Sequence, residues 1–97
     1  MANVYAKDSL VRVSSEFTVS SADTDPTTVT CYYKDPNNSV TTLVYGADSA
    51  LVRDATGKYH VDIPASVAGN WWYRFEATGT VTAANEAEFV VSLSQIL

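Results

Sequence analysis

Cysteine is all but missing from this chain of 97 residues: Cys31 stands alone. No disulfide can form within the domain, which excludes a secreted module stapled by cystine bridges. Histidine is equally scarce. His60 is the only one, so there is no Cys/His set of the kind that holds zinc. Cys31, on a different strand from His60, also lacks the neighbouring base that an activated thiol needs. Six basic residues face eleven acids for a formal net charge of −5. Lys7, Arg12, Lys34, Arg53, Lys58 and Arg74 are dispersed along the chain, so a phosphate backbone would be repelled, and nucleic acid is not an expected partner. No apolar run reaches the roughly eighteen residues of a membrane-crossing helix. The opening MANVYAKDSL has neither the apolar segment nor the small-residue cleavage site of a signal peptide. The expectation is a chain made in a cytoplasm, with no membrane partner.

Catalytic signatures are missing as well. GxSxG, HExxH, the P-loop and GxGxxG do not occur. The remaining candidates read more simply as structure. His60 falls between Lys58 and Asp62 on a regular strand and is expected outward and solvated. Glu86 and Glu88 share a face, with Asp62 as a third acid, but a small sandwich offers no deep cleft for a glycosidase, so these acids are expected to serve solubility. Asp23 and Asp25 in SADTDPTT invite a calcium loop, yet such a loop needs about six oxygens and usually a third acid close by. Turn stabilisation is the expectation there. The chain is therefore expected to be non-enzymatic, with no cofactor and no metal.

What is present is alternation. Val11, Val13, Phe17 and Val19 share one face of LVRVSSEFTV; Val29, Cys31 and Tyr33 share one face of TVTCYYK; Tyr59, Val61 and Ile63 share one face of GKYHVDIP. Period-2 patterning in short runs, broken by turn residues such as those of DPNNS, is the signature of an all-β protein. VTTLVYG, a short run from Leu51 to Arg53, NWWYRFEAT and TVTAANEAEFVVSL complete seven expected strands in one antiparallel sandwich, a single domain over residues 1–97. Residues 1–8 are expected to form an N-terminal arm and residues 94–97 a C-terminal tail.

In GNWWYRFEA the two tryptophans are adjacent, and neighbouring strand residues point to opposite faces. Trp71 continues with Tyr73, Phe75 and Ala77 as an apolar stripe, while Trp72 continues with Arg74, Glu76 and Thr78. Trp71 is therefore expected in the core and Trp72 outside. The expected core is Trp71, Tyr73, Phe75, Tyr59, Val61, Val29, Cys31, Phe17, Phe89 and Val91.

The same segments carry a resemblance. Gly57 and Tyr59, then Gly69, Trp71, Tyr73 and Arg74, then Glu86, Phe89 and Val91 resemble the second half of the immunoglobulin-like domains of tailed-bacteriophage structural proteins. DPTTVTCYYKDP is similar to the second strand of those domains and its Asp-Pro turn. The resemblance covers residues 7–91. It implies a seven-stranded antiparallel immunoglobulin-like β-sandwich without the inter-sheet disulfide of antibody domains. It also implies a structural role in a virion: most directly a small capsid decoration or cement protein made in the host cytoplasm, a reading that the chain's own Met1 favours. The alternatives are a tail or head–tail accessory protein, or a carbohydrate-binding adhesion module. The implied partners are capsid or tail subunits, further copies of the chain, or a glycan. Two contact surfaces are expected. One is the outer face with Trp72, Arg74 and Tyr32; the other is the tail SLSQIL, where Leu93, Ile96 and Leu97 would otherwise be exposed to solvent.

Overall fold

Each alternating segment becomes a strand in the computed structural model, which describes residues 3–93. In chain order these are β1 (Asn3–Ala6), β2 (Ser9–Glu16), β3 (Thr18–Val19), β4 (Ala22–Asp23), β5 (Thr28–Lys34), β6 (Val40–Val44), β7 (Leu51–Ala55), β8 (Lys58–Ala65), β9 (Gly69–Thr78) and β10 (Ala83–Ser92). No helix occurs among the described residues. The protein is all-β. One sheet has the order β1-β10-β9-β5-β6, a second has β2-β8-β7, and β3 and β4 form a small hairpin of their own.

The seven expected strands are β2 and β5 to β10, but the described residues form ten. Two physical causes account for the difference. The first expected strand breaks at Phe17, whose N–H donates to the Gly57 carbonyl at 2.7 Å and whose carbonyl accepts from Thr24 N–H at 3.0 Å. The chain then folds into the β3–β4 hairpin through Ser20 and Ser21, both at positive φ (52° and 68°), the conformation that a two-residue hairpin turn demands. Residues 3–6, assigned above to an arm, form β1 instead. It pairs in parallel with β10, Asn3 opposite Phe89 and Ala6 opposite Ser92, so the strands are not all antiparallel.

Inward residues of both main sheets meet in one core. Nine of the ten expected core residues are buried, from Phe17 to Val91. Tyr73 packs against this core but is only partly buried. Trp71 is buried, stacks on Phe89 with ring centroids 5.8 Å apart, and donates its indole N–H to the Val67 carbonyl at 2.8 Å. Buried rings of this size contribute several kcal/mol each, by burial of roughly 150–250 Å². Cys31 is fully buried, and burial pushes its thiol up to about 12. The thiolate is thus suppressed at neutral pH.

One end of the molecule is locked by Asp25. Its carboxylate accepts two bonds from Arg53 (3.1 and 2.9 Å), one from the Gly57 N–H (2.8 Å) and one from the Tyr59 hydroxyl (3.1 Å). The Arg53 guanidinium first, and the Gly57 N–H second, hold this carboxyl down to about 2. Gly57 has no room for a side chain, since a Cβ there would lie 2.6 Å from the Phe17 carbonyl oxygen at a φ of +73°. Asp25 thus fastens the loop before β5 to the β7–β8 hairpin. It is satisfied by a cation and two neutral donors, while Asp23 lies 3.7 Å from Lys58 Nζ.

Candidate functional site

The outer face of the five-stranded sheet is a grid set by register. Trp72 on β9 stands opposite Lys34 on β5 and Glu88 on β10, and Lys34 in turn stands opposite Val40 on β6. One step along, Arg74 stands between Tyr32 and Glu86. The three outer-face residues expected to form a contact, Trp72, Arg74 and Tyr32, are therefore brought together on two adjacent strands.

They differ in what they have left to offer. Arg74 donates from Nε to Glu76 at 2.7 Å and from Nη1 to Glu86 at 3.2 Å, and these two acids raise the pKa of its guanidinium further above the ordinary arginine value. Its charge is answered within the molecule. Trp72 is 40% exposed. Beside it a shallow concavity of about 410 Å³ is lined by Tyr32, Tyr33, Lys34, Val40, Trp72, Tyr73, Arg74 and Glu86. A second, of about 320 Å³, lies on the other flank of Trp72, between Lys34, Asp35, Pro36, Asn38 and Asn70. Trp72 and Lys34 line both.

Lys34 was not among the residues singled out from the sequence. Every other basic side chain has a carboxylate partner among the described residues: Lys7 with Asp8, Arg12 with Asp62, Arg53 with Asp25, Lys58 with Glu16 and Asp23, Arg74 with Glu76 and Glu86. Among the described residues Lys34 has none within 4.0 Å. Its alternation with Tyr32 marks it as outward in the sequence, but its place beside Trp72 follows only from the β5–β9 register.

The opposite outer face corrects the expectation for His60. This residue does lie on the outer side of β8, yet it is only 7% exposed. It occupies the central strand between Ser14 on β2 and Val52 on β7. Its Nδ1 lies 2.7 Å from both carboxylate oxygens of Asp54, and its Nε2 lies 4.0 Å from Asp62. Asp62 is gripped by Arg12 through two bonds of 2.9 and 3.1 Å, chiefly through which its carboxyl is lowered. Alternation reports the face; the neighbours that cover a side chain come from register.

Leu93, just past β10, is 70% exposed, whereas Ile96 and Leu97 lie outside the described residues. Glu86 and Glu88 share the outer face of β10, on the other sheet from Asp62, so the three acids do not converge. No group of three or more His, Cys, Asp or Glu side chains suited to a metal ion occurs among the described residues. In comparison with known proteins, the chain matches no family model, no curated protein and no solved structure.

Proposed function

We propose that this chain is a non-enzymatic binding module of a phage particle, a small capsid decoration protein built as an immunoglobulin-like sandwich. The strand order supports the fold assignment: β2, β8 and β7 correspond to strands B, E and D of such a sandwich, and β5, β9 and β10 to C, F and G, with β6 in the place of C′. β1 lies beside the G equivalent rather than completing the other sheet. Fold alone does not define function.

One observation carries the binding reading. Among the described residues the four most exposed large apolar side chains are Leu93 (70%), Val4 and Leu10 (67% each) and Val40 (60%); the registers put all four toward the same end, Leu10 facing out from the three-stranded sheet and Val4 and Val40 from the five-stranded one. That end is where Lys7 N–H meets the Ser92 carbonyl and Asp8 N–H meets that of Ala65, and Trp72 stands on the sheet face nearby. Apolar exposure gathered at one end of a small acidic domain fits an attachment surface better than scattered surface residues do. Capsid or tail subunits are the partners.

The test mixes the full-length protein with particles lacking it. Co-sedimentation at a fixed copy number, with a gain in heat resistance of the particles, is the expected result, and Leu10→Asp and Leu93→Asp should each weaken it. Failure to associate with any part of the virion would end this reading.

A further inference from the structure

We propose that the groove on either side of Trp72 binds a carboxylate-bearing sugar unit, of the uronic-acid kind, within an acidic polysaccharide. This goes beyond the reading above, which puts the particle on the apolar end of the molecule, and concerns the outer face of the five-stranded sheet. It assigns that surface a ligand distinct from the particle.

The chemistry of the groove has three parts. Trp72 is a partly exposed indole with a concavity on each flank, which leaves room beside it for a ring. The C–H face of a pyranose is apolar and suits such a ring, and a rigid indole loses little entropy on binding. Lys34, the one basic side chain without a carboxylate partner among the described residues, borders both concavities and supplies the charge for an anion. The net charge of −5 works against any anion, and Arg74 is already held by Glu76 and Glu86, so attraction of a carboxylate rests on Lys34 at short range. The third part is the polar wall. Asn38 and Asn70 line the second concavity, and side-chain amides pair donor and acceptor with the hydroxyls around a sugar ring.

The backbone turn that carries Asn38 is set in advance. Asp35 Oδ1 accepts the N–H groups of Asn37 and Ser39, both at 2.9 Å, and Asn38 N–H donates to the Asp35 carbonyl at 3.0 Å. Pro36 rests on Gly69, where an added Cβ would come within 2.8 Å of its ring. A preformed turn lowers the ordering cost of binding. Glu88 flanks Trp72 on the side away from Lys34, which fixes the direction of the ligand: carboxylate toward β5, neutral rim toward β10. An acidic peptide is the competing occupant. Peptide anchors favour deep, desolvated pockets, whereas these concavities are shallow and one is walled by Lys34, Asp35 and two asparagines.

The experiment titrates the full-length protein with oligogalacturonate, oligoglucuronate and oligosialate, with the carboxyl-reduced form of each, and with an oligoglutamate peptide. Binding of at least one acidic sugar, about tenfold tighter than its reduced form, is expected. Trp72→Ala should abolish binding of both forms. Lys34→Gln should erase the preference while leaving the reduced sugar bound, and Lys34→Arg should retain the preference. Melting temperatures of the variants should match the parent, which separates lost binding from lost folding. Absence of binding to every acidic sugar, a preference unchanged in Lys34→Gln, or equal binding of the peptide would each overturn the proposal. The same variants are tested for co-sedimentation with particles. Retained association is expected, and loss of association in Trp72→Ala would overturn the proposal by making this groove the particle contact.

Discussion

On the outer face of the three-stranded sheet the polar side chains are answered from within: Arg12 by Asp62, His60 by Asp54, and Lys58 by Glu16 and Asp23. On the outer face of the five-stranded sheet a partly exposed indole stands beside an ammonium that no carboxylate answers among the described residues. Both faces are made from strands with the same period-2 pattern, so pattern is not what separates them. The difference is how far neighbouring side chains are used up by one another. A face whose groups are mutually satisfied has little to offer a ligand, while one that leaves a large ring and a charge open keeps them for something else.

Mutation can break or sharpen this contrast. The largest effect belongs beneath the open face: Trp71→Ala should cost about 3–5 kcal/mol by leaving a cavity against Phe89, read from chemical denaturation. A loss under about 1 kcal/mol would mean that the two tryptophans have exchanged roles. Next comes the closed face, where His60→Ala removes the packed volume of a buried ring and its bond to Asp54. A loss of about 1–3 kcal/mol is expected, and a neutral result would show that the closed face is no more finished than the open one.

Acid offers a third probe, at the Asp25 lock. The folded carboxyl is held at about 2, below its ordinary value of 3.8. Its contribution to stability is therefore complete above about pH 4 and is lost as the pH falls through that value toward 2. Asp25→Asn should lower the melting temperature at neutral pH, and the gap between variant and parent should narrow between pH 4 and 2. A gap independent of pH would show that the carboxylate's charge is not what matters. The smallest effect is expected on the open face itself: Trp72→Ala and Lys34→Gln should each change stability by less than about 1 kcal/mol. A larger loss would mean that these groups support their own sheet and are not held open.

How much of this could be read from the sequence follows from what alternation encodes. It separates Trp71 from Trp72 and places Cys31, Tyr59, Phe75 and Phe89 inside, because inward and outward are decided residue by residue along one strand. It does not say which strand lies alongside. The burial of His60 depends on Ser14, Val52, Asp54, Asp62 and Arg12 converging from three strands, and no local pattern announces that. The pairing of Lys34 with Trp72 is hidden for the same reason. β1 was missed because four residues make a weak pattern, and because their partner is a parallel strand at the far end of the chain. The β3–β4 hairpin turns on two serines at positive φ, where glycine or asparagine would have marked the turn.

The parallel pairing of β1 with β10 bears on how the protein is made. Asn3 meets Phe89 and Ser9 meets Ala65, so the first strands to leave the ribosome find their partners only after most of the chain has been synthesised. Loop-closure entropy must be met before these distant contacts give anything back, which places folding in the slow, millisecond-to-second range of non-local β topologies. During that wait β1 and β2 are unpaired edges in a crowded cell. The alternation of Arg12, Ser14 and Glu16 along β2, with charges of both signs, serves there as protection against pairing with the wrong neighbour before it serves anything in the finished molecule.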